Sequence, residues 1–399
     1  MSITDIRSLR NTAADHGDPV QRAREIAPVV DRYSADTEAG RNIAPEVAAA
    51  FTESELSWML VPEELGGLGA SAEDFILVIE EVSRADTSSG WSLMANAGGT
   101  ALAAGFSNEA GVRKLFDGGQ RAIVAGLFAP MGTATTSSGA LHGRGRYQFG
   151  SGTAQATHIA GGVRLLNADG SALLDAGGHP ITRSLFVPRE SVEFLDGWHV
   201  MGLKGTGSYD YAFPEQEFDP DLSIPFPSVT PLRGRGFYSI GMKGIAAIGH
   251  AGVVLGAMKR ALEEVARAVD GKRRQGYSSP VGEHVLFLDQ FSRHDAIYQA
   301  ARSFVLRTMQ EVDANEPESE ATPLQLARIR QAVSWAHDAA QQVIPFAHLW
   351  TGTAAFREPT LVGRITRDLF VATQHVMVDP ITYSLNAPVL VAAYRAGRG

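Results

Sequence analysis

The sequence predicts a multidomain α+β protein in which helices come first, a β domain follows and a four-helix bundle ends the chain. A chain of 399 residues is longer than one hydrophobic core usually serves. Apolar residues recur at helical spacing up to about Phe116 and again after about Pro231, and short runs of β-forming residues lie between them. We therefore predict domains at 1–120, 121–232 and 233–399.

The amino-terminal domain is predicted to be helical from about Gln21. Ser71 and Asp74 form a capping box ahead of an apolar stripe that runs to Val82. The next segment, Gly90–Phe106, consists almost entirely of small and apolar residues, which is typical of a helix enclosed on all sides. Its small side chains also permit the close approach of another group.

The β domain is predicted from short runs that carry β-forming residues and are separated by Gly, Pro and Asp. These runs are Arg121–Phe128, Arg144–Phe149, Ile181–Val187 and Tyr209–Phe218.

The remaining chain predicts the bundle. Its first helix carries apolar residues in steps of three and four, at Leu255, Met258, Leu262, Val265 and Val269. The second helix covers about Val285–Val312, and the third begins at Pro323. We expect Pro345 to end or kink the third helix, and Pro380 to bend or break a fourth helix over about Pro359–Leu385.

Composition and charge exclude several classes of function. The 35 basic and 44 acidic residues form no basic stripe interleaved with aromatic residues, so we expect no nucleic-acid partner. The chain has no cysteine, so any redox chemistry requires a bound cofactor. No HExxH motif occurs, and His158, His199 and His250 lack metal-site spacing to carboxylates, so no metal is expected. The absence of a signal peptide and of a long apolar run predicts a cytoplasmic protein without membrane contact.

Four sequence blocks, in the same order, resemble the acyl-CoA dehydrogenase superfamily. They are Pro62–Gly67 (PEELGG), Glu80–Trp91 (EEVSRADTSSGW), Trp198–Asp210 (WHVMGLKGTGSYD) and Arg367–His375 (RDLFVATQH). The last two are similar to the branch of reduced-flavin-dependent hydroxylases. The resemblance implies an amino-terminal helical domain, a middle β-barrel and a carboxy-terminal four-helix bundle, assembled as a homotetramer with FMN or FAD between domains and subunits.

The resemblance also implies contacts to the flavin. Phe149 would pack on the flavin ring, and the Ser151 hydroxyl would bond its polar edge and take part in catalysis. Thr206 and Ser208, in the GTGS segment, offer hydroxyls and turning backbone to flavin or phosphate oxygens. Further contacts would come from residues that the same resemblance indicates, namely Leu127 and Phe128 through their backbone, Gly352 toward a neighbouring subunit's cofactor, and Arg367 and Asp368 near the flavin or the domain junction.

The segment around His375 separates two branches of the superfamily. Chain-dehydrogenating members carry a catalytic glutamate eight residues after the Asp of their Arg-Asp pair, and that position is Val376 here. Valine cannot remove the α-proton of an acyl thioester. By resemblance to the hydroxylases, His375 is the catalytic residue that manages a proton near flavin C4a, a task that suits imidazole because its ordinary pKa is close to neutral.

These features predict a flavin-dependent monooxygenase that hydroxylates a small organic substrate, aromatic or from secondary metabolism, through a flavin C4a-hydroperoxide. The segment GALHGRG lacks the context of a dinucleotide fingerprint, so reduced FMN or FAD is expected from a separate reductase, and molecular oxygen is the co-substrate. Trp91 and Asn96 are candidate substrate contacts. Two alternatives stay open: a divergent dehydrogenase with Glu263 or Glu264 as a relocated base, and a flavin-free binding protein.

Overall fold

The computed structural model describes residues 17–397 except for 118, 120, 138, 235, 317 and 318. Most of the amino-terminal segment in which we found no signal peptide lies outside the described residues. The elements follow the predicted order of helices, sheet and helices, although the domain boundaries at 120 and 232 stay predictions.

The amino-terminal helices surround one long buried helix. They are α1 (Pro19–Arg32), α2 (Ser34–Gly40), α3 (Pro45–Glu53), α4 (Ala72–Ala85), α5 (Thr87–Phe106) and α6 (Glu109–Phe116). Ser71 and Asp74 form the predicted capping box at the start of α4. The side chain of Asp86 caps α5 by accepting from the Ser89 amide at 2.8 Å. As predicted, α5 is buried on nearly all sides.

The middle of the chain forms a seven-stranded sheet in the order β5-β6-β2-β1-β3-β4-β7. The strands are β1 (Val124–Ser137), β2 (Ala140–Tyr147), β3 (His158–Leu166), β4 (Thr182–Pro188), β5 (Glu193–Leu195), β6 (Asp210–Phe218) and β7 (Ser223–Pro225). The β1–β3 pair is parallel and the other pairs are antiparallel. The pairing of β1 with β3 is irregular between Leu127 and Gly132.

Three long helices and two shorter ones form the carboxy-terminal bundle. They are α7 (Gly241–Val269), α8 (Val285–Asp313), α9 (Pro323–Thr351), α10 (Leu361–Ala372) and α11 (Ile381–Arg395). Pro345 does not end the third helix, because α9 continues through it to Thr351, and a kink at this residue stays a prediction. A proline removes only one ladder hydrogen bond, and the buried side chains of Ile344, Phe346 and Trp350 hold the helix against its neighbours.

The fourth helix of the bundle is not continuous over 359–385. It ends at Ala372, well before Pro380, and α11 begins only at Ile381. In between, local side-chain contacts replace the helical ladder: His375 Nδ1 accepts from the Met377 amide at 3.3 Å, and Asp379 accepts from the Ile381 amide at 2.8 Å. The chain therefore turns at His375 instead of burying it in a helix.

The amino-terminal helices dock directly on the bundle. Glu80 of α4 is buried and accepts from Arg302 Nε at 2.8 Å and from the Tyr298 hydroxyl at 2.7 Å, both on α8. Gly236–Val269, which includes α7, is long and apolar enough to cross a membrane by length and composition, but 89% of its apolar window is buried inside the protein. A core helix passes the same test, so this segment is weak support for membrane insertion.

Candidate functional site

A chain of hydrogen-bonded hydroxyls joins α5 to the β domain. Thr206 donates to the Leu203 carbonyl at 2.8 Å, so its oxygen accepts from Ser208 at 2.7 Å. Ser208 in turn accepts from Ser151 at 2.6 Å, and Ser151 accepts from Trp91 Nε1 at 3.1 Å. The structure thus brings four predicted site residues, Trp91, Ser151, Thr206 and Ser208, into one directed network.

The buried helix α5 also carries two polar residues, Asn96 and Thr100, among its small and apolar side chains. Asn96 donates through Nδ2 to the Gly152 carbonyl at 3.0 Å, and Thr100 accepts from the Val124 amide at 3.0 Å. Gly152 has a φ of +72°, and a Cβ there would lie 2.9 Å from Asn96 Nδ2. Asn96 Oδ1 is buried without a hydrogen-bond partner. An unsatisfied buried acceptor beside Ser151 is suited to a donor from a bound molecule.

His375 lies on the other side of Trp91. Its ring centroid is 5.7 Å from the Trp91 ring and 4.1 Å from the His250 ring, and His250 is 4.8 Å from Trp91. His337, from α9, lies 6.5 Å from His250. We call His250, His337 and His375 the histidine cluster; each comes from a different part of the bundle. Among the described residues, no group of side chains could hold a metal ion.

The histidine cluster is neutral at ordinary pH. Burial is the main cause that lowers the pKa of His375 to about 4, and the charges of His337 and Arg330 lower it further. Burial also lowers the pKa of His337 to about 4 and holds that of His250 well below its usual value. The pKa of His375 therefore lies below the near-neutral ordinary value of imidazole, and its role in catalysis stays a prediction.

Hydrogen bonds assign the neutral tautomers of two of these histidines. His375 Nδ1 accepts from the Met377 amide, so Nε2 carries its proton. His337 donates from Nδ1 to the Val333 carbonyl at 3.0 Å, so its Nε2 is a lone-pair acceptor, and that atom is buried without a partner. The cluster thus offers a donor at His375 Nε2 and an unused acceptor at His337 Nε2.

Arg330 stands beside this cluster. It donates to the Met377 sulfur at 3.0 Å and to the Thr382 hydroxyl at 3.1 Å. Among the described residues, no carboxylate lies within ion-pairing distance of its guanidinium, and burial lowers its pKa.

Phe149 is 66% exposed and lies just before Ser151 in the loop after β2. Its φ of 63° is uncommon for an aromatic residue, and strained backbone of this kind clusters at binding sites. The Leu127 amide donates to the Tyr211 hydroxyl at 2.7 Å, and the Phe128 carbonyl accepts from Ser184 at 2.8 Å. Those two backbone groups are already engaged, so any flavin contact from β1 would use its other groups.

Arg367 and Asp368 lie where the β domain meets the helices. Asp368 Oδ1 accepts from the Leu203 amide at 2.6 Å, and Arg367 pairs with Glu38 at 2.5 Å. A Cβ on Gly202 would collide with the Arg367 carbonyl, so the two domains touch closely here. These contacts join the β domain to the helices, and a contact of this pair with flavin stays a prediction.

A buried set of charges continues from Asp368. Arg364 donates to Ser34 at 2.7 Å and lies 3.8 Å from both Glu38 and Asp86. We call Glu38, Asp86, Arg364 and Asp368 the junction cluster. Burial and the nearby Asp86 raise the pKa of Asp368 to about 7, and burial also raises that of Asp86.

Gly352 is apart from these groups. It caps α9 with a φ of 69°, and a Cβ there would lie 3.2 Å from Arg274. Lys272 and Arg274 donate to the last carbonyls of α9, as basic side chains commonly do at a helix end. Within one chain these contacts explain Gly352, and a role toward a neighbouring subunit stays a prediction.

Glu263 and Glu264, the candidate replacement bases, form ion pairs away from the histidine cluster. Val376 is 72% exposed. Glu263 pairs with Arg84 at 2.8 Å, and Glu264 pairs with Arg260 at 2.9 Å. Both glutamates lie about 20 Å along α7 from His250 at the rise of an α-helix. Neither carboxylate is placed to serve the histidine cluster as a base.

Sequence reasoning missed His250, His337 and Arg330. In the sequence, His250 was considered only as a metal ligand, and it was excluded because no carboxylate lies at metal-site spacing from it. A usable signal existed: His250 and His337 interrupt the buried, alanine-rich faces of α7 and α9. A polar residue on such a face requires a partner.

Comparisons with known proteins identify the family of the chain. Residues 20–115 match the family described as "Acyl-CoA dehydrogenase, N-terminal domain", and residues 248–380 match "Acyl-CoA dehydrogenase, C-terminal domain". An indole-3-acetate monooxygenase from Acinetobacter baumannii is 27% identical over 314 residues, covering 75% of each chain. A pigment production hydroxylase from a Rhodococcus species is 24% identical over 313 residues, covering 76% of this chain and 78% of the relative.

A solved structure shows the same fold over almost the full length. XiaF from a Streptomyces species, in complex with FADH2 and glycerol, superposes with a TM-score of 0.88 at 22% identity, covering 97% of this chain and 98% of that one. The two matching family domains together cover more than half of the chain, at its helical ends. The chain therefore belongs to the acyl-CoA dehydrogenase superfamily, and the two relatives described above are named as a monooxygenase and a hydroxylase.

Proposed function

We propose that this chain is the oxygenase component of a two-component monooxygenase that uses reduced FMN or FAD to hydroxylate a small aromatic substrate in the cytoplasm. One observation carries the proposal. Trp91 joins the hydroxyl chain through Ser151 and the histidine cluster through His375, while Val376 stands where a dehydrogenase has its glutamate. The relatives named as monooxygenases support the same activity.

The residues around Trp91 fit a flavin. Asn96 Oδ1 and His250 Nδ1 are buried atoms without partners, and each can bond a polar group of a bound heterocycle. Reduced flavin supplies the electrons with which dioxygen is activated. Phe149, exposed beside Ser151, can cover an aromatic face, and the Ser151 hydroxyl can bond a polar ring edge if it turns from Ser208.

His375 would hold a proton at Nε2 for the oxygen chemistry. Because its pKa is lowered to about 4, it acts as a neutral hydrogen-bond donor at pH 7. The partly buried surroundings strengthen such a hydrogen bond and limit the access of water. Trp91 and His250 pack against the imidazole and keep its orientation.

Incorporation of labelled oxygen tests the proposal. The protein is supplied with reduced FMN or FAD by a flavin reductase under ¹⁸O₂, with a panel of aromatic substrates that includes indole-3-acetate. We expect one ¹⁸O atom in the product, and none when the reductase is omitted. Product without label, or bleaching of bound oxidised flavin by acyl thioesters under anaerobic conditions, would overturn the proposal.

We also propose a homotetramer. Large apolar side chains are exposed on the single chain at the bundle, at Leu349, Phe356, Phe370 and Leu385. Apolar surface of this kind supports a contact between subunits. Light scattering after gel filtration would give the mass of four chains, and a monomeric mass at micromolar concentration would contradict the assembly.

A further inference from the structure

Arg330 is a partly buried cation without an acidic partner among the described residues. Its hydrogen bonds go to a thioether sulfur, which is a weak acceptor, and to one hydroxyl. Two of the five guanidinium N–H donors are used in this way. Two other arginines of the fold differ from it: Arg302 pairs with Glu80 at 2.8 Å, and Arg364 lies 3.8 Å from both Asp86 and Glu38.

The surroundings of Arg330 contain basic side chains and a buried acceptor that has no hydrogen-bond donor. Arg330 contacts Met377, whose amide donates to His375, and its charge contributes to lowering the pKa of both His375 and His250. His337 is 2% exposed and its Nε2 has no partner. An anion would compensate the guanidinium, and a donor group would satisfy the lone pair of His337.

Met377 contacts both Arg330 and His375. Its sulfur accepts from Arg330, while its amide donates to His375 Nδ1. Arg330 and His375 are therefore held by one residue. Among the described residues, three N–H donors of Arg330 and the Nε2–H of His375 have no hydrogen-bond partner, and both side chains contact Met377.

We infer that the substrate is a small aromatic acid whose carboxylate is held by Arg330, with a donor group such as a ring N–H or O–H facing His337 Nε2. The inference rests on the proposed monooxygenase function and names its substrate class. A guanidinium binds a carboxylate through two parallel hydrogen bonds, which also fixes its orientation. Arg330 is then a specificity-determining residue.

Binding measurements test this role without turnover. Aromatic acids and their matched amides, with indole-3-acetate and indole-3-acetamide first, are titrated by calorimetry under anaerobic conditions with reduced FMN or FAD present. We expect the wild type to bind at least one acid about 10- to 100-fold more tightly than its amide. Arg330→Gln should remove that preference and leave amide binding unchanged, and Arg330→Lys should restore part of it.

Arg328→Gln is the matched control. Arg328 lies on the same helix but donates to Gln331 at 2.9 Å and packs on the Tyr394 ring, so its loss should not change acid binding. If no acid in the panel binds more tightly than its amide, or if Arg330→Gln weakens both equally, the inference is overturned. Loss of acid preference with ¹⁸O transfer to neutral substrates intact would support it. Failure of all ¹⁸O transfer, with acid preference retained, would reject only the proposed function.

Discussion

The histidine cluster and the junction cluster each take one residue, His375 and Asp368, from the block Arg367–His375. Burial shifts the pKa values of the two clusters in opposite directions. It lowers the pKa of the imidazoles and raises that of Asp368. Both clusters keep buried atoms without hydrogen-bond partners, among them Asp368 Oδ2 and His337 Nε2. They differ in charge: the junction carboxylates have Arg364 as a nearby cation, whereas among the described residues no carboxylate lies within ion-pairing distance of Arg330. Within one block, Asp368 bonds the β domain, and His375 is the residue for which we propose a role in the chemistry.

The largest effect, a loss of stability, should come from removing the cation of the junction cluster. Replacing Arg364 by Met leaves Asp86 and Glu38 without their buried cation, so we expect the free energy of unfolding to fall by about 3–5 kcal/mol. Urea unfolding followed by circular dichroism measures it. Arg367→Met is the control, since Arg367 is more exposed and its pair should contribute about 1 kcal/mol. Equal losses in both variants would show that Arg364 has no special role.

His375→Ala should lower product formation and leave the stability of the fold nearly unchanged. We expect coupled product formation to fall roughly 100-fold, because a positioned proton donor is lost, with a change in unfolding free energy below about 1 kcal/mol. Product and hydrogen peroxide are quantified per reduced flavin consumed. Val376→Ala, at the exposed neighbouring position, should behave as wild type. Unchanged coupling in His375→Ala would remove His375 from the mechanism.

The two clusters should also give opposite slopes of stability with pH. The pKa of Asp368 is raised from 3.8 to about 7, so its contribution to stability is lost as pH rises from about 4 to about 7. The pKa of His337 is lowered from 6.5 to about 4, so stability is lost as pH falls from about 6.5 to about 4.

Asp368→Asn should therefore gain stability relative to wild type with rising pH, and His337→Gln with falling pH, each by at most about 1.4 kcal/mol per pH unit. Urea unfolding between pH 4 and pH 7 measures both differences. Parallel curves for wild type and both variants would mean that neither group titrates as its burial implies.

The smallest effect should come from Trp91→Phe. The change removes the Nε1–H donor to Ser151 but keeps a ring against His250 and His375. We expect the dissociation constant for reduced flavin to rise about 5-fold, from the loss of about 1 kcal/mol in one hydrogen bond. Anaerobic flavin titration measures it, and Trp58→Phe, whose indole donates to the Ala122 carbonyl, is the control.

Parts of the site were predictable because they lie in local motifs. The GTGS segment, Ser151 and the Arg-Asp block are each short stretches, and the turn at His375 depends on side chains two residues away. The fourth bundle helix is broken before Ile381, as Pro380 predicted, but it already ends at Ala372 because His375 and Asp379 bond neighbouring amides. Pro345 does not end the third helix, because tertiary packing overrides a local helix breaker there.

The sequence by itself determined the order of helices, sheet and bundle, the superfamily, and the candidates Trp91, Ser151 and His375. Only the tertiary structure decided that His250, His337 and Arg330 join them, and that Asp368 serves the junction. The physical reason is distance along the chain: α5, α7, α9 and the His375 turn meet only through long-range packing. Burial then determines which groups are charged, and the spacing of residues in a sequence does not predict how deeply each of them is buried.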